Sequence, residues 1–155
     1  MGNKLRAALL LLSAILPPFY VAQPQNVPQA PAENAFTDRT ASVLLRQLSE
    51  ALQGHSQKKL LALFDLPKMK DGQIFKQQIS SFFSQTESIA VHLNLAETAT
   101  DDDKATMAVN AEMEVQPSNG GPPSRRNERL TFTAARAGKV WKFIDIQPRS
   151  FFSLP

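Results

Sequence analysis

No cysteine occurs in the 155 residues. That excludes a disulfide framework, a thiolate nucleophile and a thiolate metal site. It also removes the cysteine that a bacterial lipoprotein would carry its lipid on. The one tyrosine is Tyr20, the one tryptophan is Trp141, and the two histidines are His55 and His92, so phenol and imidazole chemistry have very few carriers. The chain shows no phosphate loop, dinucleotide fingerprint or nucleophile elbow. No apolar run reaches the roughly 20 residues of a membrane span. A strong charge excess is missing too. Lys+Arg is 17 against 14 Asp+Glu, and Lys4 and Arg6 lie in the first six residues. The rest of the chain is near neutral, which gives no support for nucleic-acid binding. Arg125, Arg126 and Arg129 read as a solvated strand end. No His, Asp or Glu pair recurs at metal-ligand spacing, and Asp101-Asp102-Asp103 lacks the spaced ligands and glycine of a calcium loop. Neither a metal nor a cofactor is expected.

What is present begins with a basic start, an apolar run from Ala7 to Leu16, Pro17-Pro18 and a small residue at Ala22. This is the order of a secretory signal over residues 1–22, although Tyr20 stands where a small residue is preferred. An uncleaved anchor is the alternative. The expectation is an exported, periplasmic or secreted protein with no stable membrane span after cleavage. Residues 23–36, with Pro24, Pro28 and Pro31, form a solvated Pro/Gln-rich linker. Residues 37–155 remain for one α+β domain.

Three helices open that domain. Thr37 or Asp38 can cap the first, whose stripe is Ala41, Leu44, Leu45, Leu48, Ala51 and Leu52. Gly54 closes it in a left-handed conformation. Ser56 caps a shorter helix carrying Leu60, Leu61 and Phe64, which ends before Pro67. Asp71-Gly72 opens a third, with Ile74, Phe75, Ile79, Phe82 and Phe83 facing inward.

Four period-two segments follow between Ser88 and Gln147, separated by the acidic run, by the Pro117–Pro123 loop and by Ala137-Gly138. An antiparallel meander sets Leu95 opposite Val109 and Leu93 opposite Ala111. It sets Phe132 opposite Val109, Leu130 opposite Ala111 and Arg129 opposite Glu112. Its last pairing sets Trp141 opposite Ala134 and Phe143 opposite Phe132. Strict alternation then puts Asp145, Glu128 and Glu97 on the helix-covered face, and Ala108, Val140, Ile144 and Ile146 on the other. His92 also falls on the outer face. Phe151, Phe152 and Leu154 should fold back onto the domain or onto a second subunit.

This order of elements, with Leu44 to Phe64 broken at Gly54-His55, Phe75 to Phe83, and Gly138 to Ile146 ending in Phe151-Phe152, resembles the nuclear transport factor 2-like superfamily. Within it, the SnoaL-like and steroid-isomerase-like branch is the match. The resemblance covers roughly residues 37 to 153. It implies three helices on a strongly bent four-strand (or larger) antiparallel meander, a cystatin-like cone with a pocket at its open end, and frequent dimers. Its enzymes place polar groups in that apolar pocket. A steroid-isomerase-like mechanism needs a carboxylate base with a tyrosine and a protonated acid, yet Tyr20 belongs to the export segment. Dehydratase-like members use a histidine with an aspartate, and neither His55 nor His92 falls where a pocket base belongs.

Asp145 is the catalytic candidate, since a carboxylate beside Trp141 and Phe143 could act as a general base. Trp141, Phe143, Glu128, Leu130, Phe132, Met113 and Phe82 are the expected pocket lining. Ala108, Val140, Ile144, Ile146 and His92 are the expected homodimer interface. Two functions follow. The first is a non-catalytic domain that binds a small apolar ligand or dimerises. The second is a small isomerase or hydro-lyase using Asp145. The missing tyrosine and misplaced histidines favour the first.

Overall fold

The computed structural model describes residues 35–154. The signal reading and all but the end of the linker reading lie outside the described residues. Three helices come first: α1 (Asp38–Gln53), α2 (Gln57–Ala62) and α3 (Gly72–Ser84). Four strands follow: β1 (Thr86–Asp101), β2 (Lys104–Pro117), β3 (Ser124–Ala137) and β4 (Val140–Gln147). A single 3-10 turn, Arg149–Phe152, comes after β4. The strands make one antiparallel sheet in the order β1-β2-β3-β4. The architecture is the α+β class expected from the sequence.

The Thr37 hydroxyl accepts a hydrogen bond from the Thr40 amide, satisfying one free donor of the first turn of α1. All six stripe residues of α1 are buried. Its end differs from expectation in one respect. Gly54 has φ −78°, and the left-handed residue is His55 at φ 48°. The ring of His55 secures that turn by packing on Phe83 at 5.0 Å and bonding Thr86 Oγ1 at 3.1 Å. Ser56 caps α2 as expected. Along α3, Phe75, Ile79, Phe82 and Phe83 are buried, whereas Ile74 is 63% exposed. Ile74 lies one residue before Phe75, and the 3.6-residue repeat turns it about 100° away from the buried stripe.

The pairing of β1 with β2 is the expected one, with Leu95 opposite Val109 and Leu93 opposite Ala111. The next two pairings are displaced by two residues. Phe132 faces Met107 and Leu130 faces Val109, and Phe143 faces Ala134 while Trp141 faces Arg136. A two-residue slide leaves every side chain on its own face, so the apolar pattern alone cannot distinguish the two registers. The β3–β4 turn is Gly138-Lys139, with Gly138 at φ 66° in its first central position. That is the position a two-residue II′ hairpin reserves for glycine. In the observed register Arg125 faces Glu114 and donates Nη2 to Glu114 Oε2 at 2.6 Å, replacing the anticipated Arg129–Glu112 pair.

Two β-bulges change the faces themselves. Between Leu95 and Glu97 the pairing skips Ala96, and Glu97 then faces Ala108 on the outside. Between Phe143 and Asp145 it skips Ile144, so Asp145 faces Thr133 and Ile146 faces Phe132. An extra residue on one strand inverts the alternation beyond it and bends the strand. Glu97 and Asp145 therefore point away from the helices, contrary to the expectation from strict alternation. Ile146, expected outside, is fully buried.

Candidate functional site

The covered face of the sheet and the inner sides of α1 and α3 enclose a space filled by phenylalanine. Phe75, Phe82, Phe132, Phe143, Phe151 and Phe152 are each at most 2% exposed. Their rings pack at 4.8 Å (Phe132–Phe143), 6.0 Å (Phe82–Phe152) and 6.1 Å (Phe75–Phe152). Phe151 and Phe152 arrive from the tail, which folds back onto its own domain. The tail is tied there by Gln78 Nε2 donating to the Arg149 carbonyl at 2.7 Å. Arg126 Nη1 donates to the Ser150 and Phe151 carbonyls at 3.0 and 3.1 Å. Where the resemblance implied a pocket, the interior holds the chain's own rings. Among the described residues, Thr86 is the only polar one in the buried class.

The residues named from sequence divide accordingly. Met113, Leu130, Phe132, Phe143 and Phe82 are core residues without access to solvent. Asp145 lies on the outer side of β4, 37% exposed, with Oδ1 3.2 Å from Arg149 Nη2. Arg149 also donates to the Lys70 carbonyl at 2.8 Å and stands 6.0 Å over the Phe75 ring. Asp145 thus anchors the start of the tail to the α2–α3 connection. Sequence reasoning missed Arg149 as its partner, although the i,i+4 spacing across Pro148 was visible.

Glu128 stays on the covered face, because no bulge intervenes between it and Leu130. Its Oε2 is buried without a hydrogen-bond partner, and so is Ser124 Oγ four residues earlier. Both line a recess of about 350 Å³ between β3 and the tail, together with Arg126, Ser150 and Leu154. A carboxylate oxygen there can accept a hydrogen bond, and among the described residues no imidazole or tyrosine lines the recess with it.

The residues expected at a dimer interface do not form one apolar seam. With Ile146 in the core, Ala108 and Ile144 remain half-buried and His92 is exposed. The pairing puts His92, Glu112 and Asn127 side by side on the outer face, next to the row Asn94, Asn110 and Arg129. Val140, 54% exposed, lies elsewhere.

Val140 belongs to a groove of about 420 Å³ between the start of α1 and the β3–β4 turn. Val43 and Leu44 form one wall, Val140 and Trp141 the other, and Arg39 and Lys139 also line it. The Trp141 ring packs edge-on against Phe36 at 4.9 Å, and the Arg136 guanidinium stands 6.0 Å from its centre. Among the described residues, no Asp or Glu lines this groove. The sequence signal was slight: Val43 lies off the buried stripe of α1, and an exposed valine there means little until the hairpin brings Val140 opposite.

The helix order and the meander are shared with solved proteins. The chain has the nuclear transport factor 2-like fold. A superfamily protein of that name from Salmonella enterica superposes with a TM-score of 0.61 at 9% identity, covering 70% of this chain and 86% of the other. A proposed scytalone dehydratase from Novosphingobium aromaticivorans gives 0.63 at 13% identity, covering 70% and 80%. A proposed aromatic ring hydroxylase from the same organism gives 0.62 at 20%, covering 76% and 89%. No protein-family description and no curated protein matches the chain. At these identities the likeness is one of fold, and the different activities named for its bearers leave function to be argued from the site. Among the described residues, no group of His, Asp or Glu is arranged to hold a metal ion. No described helix is long and apolar enough to cross a membrane.

Proposed function

We propose that this nuclear transport factor 2-like chain is a non-catalytic binding domain that uses its outer surface, at the groove between α1 and the β3–β4 turn, instead of the interior of the fold. The observation that carries the reading is the filled interior: six phenylalanines occupy it, and among the described residues no Asp, Glu, His or Tyr is in the buried class. The alternative, an isomerase or hydro-lyase driven by Asp145, needs that carboxylate in an enclosed apolar site. It stands instead on the outer side of the edge strand against Arg149. Small-molecule sites are concave and mostly apolar with a few polar groups for orientation. The groove has that composition, with two exposed valines and a tryptophan beside two cations.

Native mass spectrometry of the purified protein tests this. The binding reading expects small amphiphiles to be retained with an occupancy that drops when Val140 is replaced by Asp. The enzyme reading expects turnover of apolar carbonyl compounds that Asp145→Asn lowers by orders of magnitude. Observing that turnover would refute the proposal. The same spectra report whether the protein is the homodimer that the resemblance implied. Export through residues 1–22 is part of the proposal and is supported by the basic start, apolar run and Pro17-Pro18. N-terminal sequencing of protein recovered outside the cytoplasm checks it.

A further inference from the structure

We infer that the groove between α1 and the β3–β4 turn takes a small carboxylate with an apolar tail, the tail lying on Val43, Val140 and Trp141 and the carboxylate between Arg39 and Lys139. This rests on the proposed binding function and names the class of ligand. Three observations lead to it.

The first is apolar exposure. Of the three large hydrophobic residues exposed on the described surface, Val43 and Val140 face this one groove. They come from elements about a hundred positions apart in the chain, so their meeting is a product of the fold. Trp141 adds a half-buried ring braced by Phe36, which supplies a rigid apolar wall at little cost in side-chain freedom.

The second is charge. Arg39 and Lys139 line the groove, and neither belongs to any of the ion pairs among the described residues. The one acid adjoining Arg39 in sequence, Asp38, accepts a hydrogen bond from Thr98. Two other recesses mix the signs, Glu112 and Glu114 with Arg125 on the outer sheet face and Glu50 with Lys59 beside α2, and the recess between α1 and β1 holds Arg46, which is already paired with Glu50. Here the charge is of one sign, with no carboxylate among the described residues of the lining. An anion is the complementary ligand. A planar carboxylate suits the guanidinium fork in particular.

The third is size. About 420 Å³ is in the lower part of the range of small-molecule sites. A compact amphiphile fits a space of that size.

Trp141 is the only tryptophan, so the fluorescence of the full chain excited selectively at tryptophan reports on this groove. The test titrates that fluorescence with decanoate below its micelle concentration. Decan-1-ol and decyltrimethylammonium serve as the neutral and cationic controls. Decanoate should give a saturable change, decan-1-ol should bind at least tenfold more weakly, and the cation should give none. Amide shifts in a two-dimensional NMR spectrum should cluster at Val43, Lys139 and Val140. Arg39→Glu with Lys139→Glu should weaken decanoate at least tenfold and admit the cation. Both side chains are exposed, so the fold should be retained, and an unchanged far-UV spectrum checks that.

Equal affinity for the alcohol or the cation would overturn the carboxylate while leaving a binding groove. A response to anionic vesicles but not to monomeric decanoate would also overturn it, in favour of a lipid surface. No saturable response to any of the three amphiphiles would overturn the binding function as well.

Discussion

Phe152 is the residue whose removal tests the filled interior most directly. It is fully buried and touches rings from α3 on one side and the tail on the other: Phe75 at 6.1 Å, Phe82 at 6.0 Å and Phe151 at 5.4 Å. Truncating it to alanine removes the transfer free energy of the ring and leaves a void whose walls relax only in part. The expected loss is about 3–5 kcal/mol. For a domain of this length each kcal/mol lowers Tm by roughly 3–5 °C, so thermal unfolding followed by circular dichroism should move down by about 10–20 °C. A dry apolar void of that size should also accept benzene or indole. Either compound at about ten times its Kd should restore roughly 1.4 kcal/mol to the variant and nothing to the parent chain. A loss below about 1 kcal/mol with no rescue would mean that the tail does not pack in the core, and the case for a filled interior would fail with it.

Three further outcomes follow from local geometry. A Cβ at Gly72 would stand 2.1 Å from the Leu66 carbonyl oxygen, so Gly72→Ala should cost about 1–3 kcal/mol in urea unfolding through forced backbone displacement; parity with the parent would refute the close approach. Asp102 turns the β1–β2 connection at φ 48° while exposed, so Asp102→Gly should stabilise by up to about 1 kcal/mol, read as a higher urea midpoint at unchanged slope. Glu128→Leu should stabilise by about 1 kcal/mol, because it removes a buried carboxylate oxygen that has no partner; a loss of similar size would show that Glu128 holds a bond that is needed.

The helices were legible because their apolar stripes repeat at helical spacing and Thr37 and Ser56 stand at their starts. The strands were legible by alternation, and Phe151 and Phe152 announced a tail that folds back. Three things were not. A slide of two residues conserves every face, so the β2–β3 and β3–β4 registers needed the turn at Gly138-Lys139 and the Arg125–Glu114 pair to fix them. The bulge at Ala96 lies where few large apolar residues follow to reveal the inversion. The bulge at Ile144 did leave a trace: Phe143 and Ile146, three apart, share a face, which strict alternation forbids. Reading that spacing would have moved Asp145 outside and Ile146 inside. The groove itself depends on two distant segments meeting, and no local pattern encodes that.

The rings contributed by Phe151 and Phe152 have a consequence for the order of events during synthesis. Their partners Phe75 and Phe82 are made some seventy residues earlier, and Gln78 waits as long for the Arg149 carbonyl. Helices and hairpins can form as they emerge from the ribosome, but the core cannot close until Phe152 has been translated and released from it. Contacts between such distant positions also make closure slow, since the chain must first bear the entropy of a long loop. The nascent chain therefore stays open at least until residue 152 has left the ribosome, in a state that a chaperone can engage.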